Sequence, residues 1–177
     1  MKACNNFVLL LLTILLFLSG CTKKQELQTD VERAGEVFLM SIFTTNQNGR
    51  WDTYQTADFS TIEAGSMVIE QYYSSFANIC TESGLSSIVS NRLPYTYDEL
   101  AWKYDCTIEP EEITFDIREN TAEFTVELSV IREEEVLGKV EQNGQLQLVQ
   151  NGEEYFIDSA WIANLDDLKI FLGTVQK

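Results

Sequence analysis

Apolar residues near the start of the chain recur at helical spacing. Leu27, Val31, Ala34, Phe38 and Ile42 are three or four positions apart, which places them on one face of a helix. The segment Asn46-Gln47-Asn48-Gly49 follows with residues that tolerate left-handed backbone. This pattern predicts a first helix over about 28–46.

A second helical start lies at Ser60-Thr61-Ile62-Glu63, which has the form of a capping box. An apolar stripe follows it, which predicts a helix over about 61–82 with Gly84 as its terminator. A further short helix is expected over 85–91, before Pro94. The stretch 95–102 is compatible with either a loop or a helical turn.

The hydrophobic period changes from helical spacing to alternation after Cys106. Between 122 and 130 every second residue is apolar and its neighbours are polar, which is typical of a half-buried strand. Hairpin turns are expected at Gln142-Asn143-Gly144 and Asn151-Gly152. The predicted strands are 107–117, 122–130, 136–140, 146–149 and 154–162, with a turn at 119–120 and a closing helix over 166–172. Because helices precede strands, the fold class is α+β, with N-terminal helices packed on an antiparallel sheet of about four to five strands.

The first residues of the chain have the layout of a secretory signal peptide. Lys2 precedes an uncharged apolar run from Phe7 to Leu18, small residues follow, and the composition turns polar after Cys21. As a helix the run would span about 18 Å, whereas a bilayer core is ~30 Å thick. The run therefore favours a cleaved signal over an uncleaved transmembrane anchor.

The segment Leu18-Ser19-Gly20-Cys21 is similar to the lipobox of bacterial lipoproteins. The resemblance implies cleavage between Gly20 and Cys21, a diacylglycerol thioether on Cys21, and a location on the extracytoplasmic face of the cell membrane. An ordinary cleaved signal with an accidental cysteine is the alternative. The expected organisation is a signal peptide over 1–20, a lipidated tether over 21–28 and a single α+β domain over 29–177.

The charge of the chain limits its partners. Its 28 acidic and 12 basic side chains give a formal net charge of −16. Such a surface repels phosphate backbones and anionic head groups, so we expect no nucleic-acid binding. We also expect that the lipid, and not a basic patch, holds the protein at the membrane. Either solvation or a cationic partner accounts for the excess acidic charge.

The absence of histidine excludes Ser-His-Asp and Cys-His catalysis and histidine-ligated zinc. No acidic cluster has the spacing of a calcium loop, and no glycine loop could bind a nucleotide, so we expect neither a metal nor a cofactor. Apart from Cys21, the domain contains Cys80 and Cys106. A disulfide between these two and a pair of buried free thiols both remain open.

The order of elements resembles the nuclear-transport-factor-2-like, or cystatin-like, cone fold. The hairpin sequence Gly152-Glu153-Glu154-Tyr155-Phe156-Ile157-Asp158 is similar to the Gly-x-Trp-x-Ile-Asp pattern of that superfamily, with tyrosine at the aromatic position. The continuation 159–162 is similar to the related N-terminal domain of some penicillin-binding proteins. The resemblance implies a curved sheet that wraps the helices around a pocket, in a fold that hosts enzymes, binders and scaffolds alike.

Three functions fit these observations. The first is a membrane-anchored extracytoplasmic lipoprotein with a binding or interaction domain, whose ligand the sequence does not identify and whose protein partner would lie close to the membrane. The second is a small-molecule enzyme with a tyrosine and a carboxylate in the cone. The third is a cell-envelope accessory domain that docks on a membrane protein. Residues available for the enzyme are Tyr54, Tyr72, Tyr73, Tyr95, Tyr97, Tyr104, Asp98, Asp105 and Asp116.

Overall fold

A computed structural model of the protein describes residues 29–175. The expected signal peptide, the Gly20–Cys21 cleavage site and the tether lie outside these residues. The described chain is helical from 29 to 43 (α1). Next come α2 (Arg50–Gln55), α3 (Ile62–Tyr72), α4 (Glu82–Asn91), α5 (Leu93–Lys103), β1 (Thr107–Arg118), β2 (Thr121–Arg132), β3 (Glu135–Asn151), β4 (Glu154–Ile162) and α6 (Leu165–Thr174). Short 3-10 turns occupy Gln47–Gly49 and Ser74–Asn78.

The four strands form an antiparallel meander in the order β1-β2-β3-β4. Its register shifts at Pro110/Glu112, Val130/Ile131 and Gln147/Leu148, where the extra residues bend the strands. The helices pack against this curved sheet, which does not close into a barrel. The predicted α+β class is confirmed.

The hydrophobic core lies between α1 and one face of the sheet. Alternate residues of β2 from Ala122 to Val130 point into it, as their period predicts. Phe38, Ile42 and Phe43 of α1 meet them and are fully buried, and the Phe43 ring packs edge-on against Tyr97 at 4.9 Å between centroids. Buried apolar side chains thus fill the space between α1 and this face of the sheet.

The hairpin predicted at Gln142-Asn143-Gly144 is wrong, because these residues continue through the long strand β3. Gln142 is fully buried and its amide donates to the carbonyl of Asn164 at 2.8 Å. A Cβ atom at Gly144 would lie 2.1 Å from the Trp161 carbonyl oxygen. The glycine allows a close approach of neighbouring strands here and makes no turn, so two predicted strands are one.

The helix predicted over 61–82 is also too long. It ends at Tyr72, and its N-terminus is capped by Thr61, whose hydroxyl accepts from the Ala64 N–H at 3.1 Å, not by Ser60. Gly84 terminates nothing. It lies inside α4, where a Cβ would be 2.1 Å from the Ile157 carbonyl oxygen, so the glycine lets α4 sit directly on β4.

Residues 95–102, which the sequence leaves open between a loop and a helical turn, lie within the helix α5, and Pro94 occupies its first turn. Two predicted turns are confirmed. Glu119 adopts left-handed backbone at the predicted β1–β2 turn, and Gly152 does so at the β3–β4 hairpin. In the motif that follows, Tyr155 and Ile157 enter the core while Asp158 accepts a hydrogen bond from the Thr81 hydroxyl at 2.6 Å.

Cys80 and Cys106 are free thiols in the structure. The backbone of Cys80 forms an isolated parallel β-bridge with Ile157 on β4, whereas Cys106 directly precedes β1. The two cysteines therefore lie at opposite edges of the sheet. A disulfide requires Cα atoms only ~4.4–6.8 Å apart, and the structure holds these two thiols unbonded. Burial raises the pKa of the Cys80 thiol to about 12, so it stays protonated at neutral pH.

From residue 29 to residue 175, no helix combines the length and the apolar character needed to cross a membrane.

Candidate functional site

Asp98 on α5 is the centre of a buried polar cluster, with only 1% of its surface exposed. Its Oδ1 atom accepts from the Asn46 N–H at 2.7 Å and from Arg50 Nη2 at 3.1 Å. Its Oδ2 atom accepts from Arg50 Nε at 2.6 Å and from the Tyr72 hydroxyl. A carboxylate has about four lone-pair sites, so all of its acceptor capacity is used.

Arg50 joins this cluster to the end of the first helix. Its Nη1 atom donates to the Ser41 carbonyl at 2.7 Å, and Nη2 donates to the Thr44 carbonyl at 3.0 Å. These carbonyls belong to the last turn of α1 and the residue after it, where carbonyl groups no longer find N–H partners within the helix. The Arg50–Asp98–Tyr72 cluster therefore fastens α1, α2, α3 and α5 to one another.

Asn46 connects the cluster to the start of α2. It adopts left-handed backbone with φ of 50°, as the chain's Asn-rich stop predicts. Its side-chain carbonyl accepts from the N–H groups of Trp51 at 2.9 Å and Asp52 at 3.3 Å. Asn46, which follows the end of α1, thus also fixes the position of Trp51.

The sequence nominated Tyr72 and Asp98 separately as catalytic candidates, and the structure brings them together. Burial, followed by the negative charge of Asp98, raises the pKa of the Tyr72 phenol far above its usual range. The phenol thus holds its proton, and the carboxylate has no lone pair left for a substrate. This pair is a structural element and not an acid–base site.

Arg50 was missed by sequence reasoning. The available indication was Asp98, a charged residue on the same helical face as the buried Pro94 and Ala101. A carboxylate on an apolar face requires a partner, but the partner is 48 residues away in the chain. Nothing in the local spacing identifies it.

The remaining candidates do not converge. Tyr97 is buried in the core, and its hydroxyl lies 3.4 Å from Gln142 Oε1. Asp116 forms an exposed ion pair with Arg118 at 2.6 Å. The backbone carbonyls of Tyr104 and Asp105 accept hydrogen bonds from Arg132. Within the described part of the chain, no group of three cysteine or acidic side chains could hold a metal ion.

A second region, beside the buried cluster, is an open cleft of about 490 Å³. We call it the aromatic cleft, and it is lined by Trp51, Tyr54, Gln55, Phe59, Tyr95, Glu99 and Trp102. The residues come from α2, the loop after it, and α5. Tyr54 and Tyr95 therefore belong to a surface feature, not to the interior of the domain.

The rings of the aromatic cleft pack in contact with each other. Trp51 and Tyr54 are stacked, with centroids 5.6 Å apart and planes 17° from parallel. Tyr95 meets both edge-on, each at 5.2 Å between centroids. Offset-stacked and edge-on arrangements of this kind are the favourable geometries for aromatic pairs, so the wall of the cleft is well supported.

The outer part of the cleft is exposed. Trp51 at its base is only 6% exposed, and its indole N–H has no hydrogen-bond partner. Trp102 and Phe59 at its edge are 61% and 48% exposed. Large aromatic side chains left in water beside a rigid aromatic base are typical of interaction sites.

Charged groups flank the cleft on α5. The Arg92 guanidinium carbon lies 4.1 Å from the centroid of the Tyr95 ring, and Arg92 Nη2 lies 3.8 Å from Glu99 Oε2. The Tyr95 hydroxyl is 3.5 Å from Glu99 Oε1. The cleft thus combines aromatic faces with one carboxylate at its rim.

No protein family model matches the chain, and no curated protein sequence matches it significantly. Among solved structures, the chain is similar to a periplasmic fragment of TraM, at 12% sequence identity and a TM-score of 0.46, over 77% of this chain and 97% of that one. A similarity of this size transfers neither fold nor function.

Proposed function

We propose that this protein is a lipid-anchored lipoprotein on the extracytoplasmic face of the cell membrane, and that its α+β domain binds another protein through the aromatic cleft. The anchor rests on Leu18-Ser19-Gly20-Cys21 at the end of the apolar run. The binding role rests on the cleft, in which exposed aromatic rings surround a rigid base.

The tether limits where the partner can be. From Cys21 to Gln28 the chain reaches roughly 25 Å when fully extended. A lipid on Cys21 would therefore keep the domain next to the bilayer, and two acyl chains on one residue give stable attachment. The partner would be a membrane protein or a molecule close to the membrane surface.

Binding is favoured over catalysis by the state of the polar groups. The tyrosine–carboxylate pair that an enzyme of the cone type would need is buried, and its acceptor sites are filled by Arg50, Asn46 and Tyr72. The cleft supplies apolar area and one carboxylate, which are the components of a recognition surface.

The anchor is tested by Cys21→Ala in cells that express the full chain. We expect the variant to lose incorporation of radiolabelled lipid and to leave the membrane fraction. Thr22→Ala is the matched control, since it alters the neighbouring position but keeps the cysteine. Retention of the label or of membrane binding in Cys21→Ala would refute lipidation at this residue.

The binding role is tested by a photo-crosslinking amino acid placed at position 102 or at position 161. Both positions carry a tryptophan of similar exposure, 61% and 64%. We expect one dominant crosslinked species from 102 that is absent from 161. Identical products from both positions, or none from 102, would contradict the assignment of the cleft as the binding surface.

A further inference from the structure

We infer that the aromatic cleft binds an arginine side chain presented by a basic segment of the partner protein. This inference rests on the proposed function and adds the chemistry of the partner to it. Three observations carry it: the arrangement of the rings, the carboxylate at the rim, and a guanidinium of this chain that already uses both groups.

Several aromatic rings line one small cleft, and the ring of Trp102 at its edge is 61% exposed. A cation is attracted to the face of an aromatic ring within about 6 Å of its centroid, most strongly to tryptophan and then to tyrosine. Trp51 and Trp102 have centroids 6.3 Å apart and planes inclined by 50°, and Tyr95 is edge-on to Trp51. The planar and weakly hydrated guanidinium group suits such a site better than a compact ammonium does.

Glu99 supplies the charge at the rim. It lines the cleft, and half of its side chain is exposed, so a second charged group can reach it. A carboxylate can accept two parallel N–H bonds from one guanidinium. The formal net charge of −16 adds a long-range field that attracts a basic segment.

Arg92 shows that these groups hold a guanidinium. Its side chain stacks over Tyr95 and approaches Glu99, although Arg92 itself does not line the cleft. Its backbone is left-handed, with φ of 52°, at the junction of α4 and α5. Tyr95 and Glu99 of the cleft thus make with Arg92 the same kind of contact that we propose for the partner's arginine.

The test uses purified full-length protein in neutral detergent at physiological salt. The probes are short acetylated glycine-based peptides that carry, at the same positions, arginine, lysine or the neutral isostere citrulline. Isothermal titration calorimetry gives each dissociation constant. We expect the arginine peptide to bind most tightly, the lysine peptide more weakly, and the citrulline peptide at least about tenfold more weakly than arginine, as expected for loss of a cation–π contact and an ion pair.

Four variants localise the binding. Trp102→Ala and Glu99→Gln should each lower the affinity for the arginine peptide about five- to tenfold. Trp161→Ala, which removes a similarly exposed tryptophan from the sheet, should leave this affinity unchanged. Arg92→Gly should tighten binding severalfold, because it frees Glu99 and glycine tolerates the left-handed backbone. Unchanged or weaker binding in Arg92→Gly would contradict the shared use of Glu99.

Two results would overturn the inference as a whole. Equal affinity for the arginine and citrulline peptides would mean that the cleft recognises apolar surface and not a cation. If Trp102→Ala and Trp161→Ala bind the arginine peptide with the same affinity, the peptide binds the acidic surface in general and not the cleft. In either case crosslinking from position 102 would still decide, separately, whether the cleft is a binding surface.

Discussion

Two adjacent acidic residues of α5 each belong to a group of one carboxylate, one arginine and one tyrosine, but one group is buried and the other is exposed. Asp98 is joined to Arg50 and Tyr72, and Glu99 is joined to Arg92 and Tyr95. Asp98 is 1% exposed, whereas half of the Glu99 side chain is exposed. In each group the arginine also lies over the tyrosine ring, at 5.8 Å from its centroid for Tyr72 and 4.1 Å for Tyr95.

The difference lies in how much of the carboxylate's bonding capacity is used. Asp98 accepts four hydrogen bonds from three residues on three segments, so the buried group holds the helices in place and has nothing to offer a ligand. Glu99 makes only long contacts, at 3.5 Å and 3.8 Å. The same residue types therefore stabilise the fold on one side of α5 and provide an accessible site on the other.

We expect the largest effect on stability for Asp98→Asn. Removing the charge leaves the Arg50 guanidinium buried without a counter-ion, which costs about 3–5 kcal/mol of unfolding free energy. Glu99→Gln at the neighbouring position is the control and should cost less than about 1 kcal/mol. Urea denaturation of both variants measures these values. Equal losses would show that burial does not distinguish the two groups.

A smaller loss is expected for Tyr72→Phe. The change removes one donor from a carboxylate that keeps three, so we expect about 1.5–3 kcal/mol of destabilisation. Tyr95→Phe, whose hydroxyl makes only a long contact with Glu99, should change the unfolding free energy by less than about 0.5 kcal/mol. A Tyr72→Phe variant as stable as the wild type would mean that the hydroxyl contributes nothing to the cluster.

High pH should separate buried tyrosines from exposed ones. Burial raises the pKa of Tyr73 to about 12 and raises the pKa of Tyr72 further, from an ordinary value of 10.0. Above about pH 10 the unfolded chain releases these protons and the folded chain keeps them, so stability is full below pH 10 and falls as the pH rises. Urea midpoints between pH 9 and about 11 should fall less steeply for Tyr72→Phe than for the wild type. Parallel slopes would contradict a raised pKa at Tyr72.

Trp102→Ala should have the smallest effect on stability. The side chain is 61% exposed, so its loss should change the unfolding free energy by about 0.5 kcal/mol or less, the same as Trp161→Ala. Its effect on binding is expected to be large by comparison. A strongly destabilised Trp102→Ala variant would place Trp102 in the structural framework of the domain.

Local pattern sufficed for most elements and failed where distant segments meet. The alternation from Ala122 to Val130 identified β2, and Asn46–Gly49 marked the end of α1. The sequence predicts a turn at Gly144, because nothing local indicates that Phe124 and the Trp161 carbonyl approach it. Such contacts are fixed by strand pairing and not by the neighbouring sequence.

The two groups on α5 illustrate the same limit. Asp98 and Tyr72 were available as candidates, but Arg50 comes from another helix and had no local pattern to select it. Likewise, Trp51, Phe59 and Trp102 form one cleft only because α2 and α5 pack together. Sequence spacing identifies residues on one element, whereas a site built from several elements depends on tertiary packing.

The most direct test of arginine binding in the aromatic cleft follows the three tryptophan indole N–H signals by NMR during titration with the arginine peptide. Trp51 and Trp102 lie in the aromatic cleft, and Trp161 lies on the sheet as an internal reference. We expect the signals of Trp51 and Trp102 to shift while that of Trp161 stays in place, and we expect the citrulline peptide at the same concentration to shift them much less. Equal shifts of all three signals, or a shift of Trp161 alone, would contradict arginine binding in the cleft.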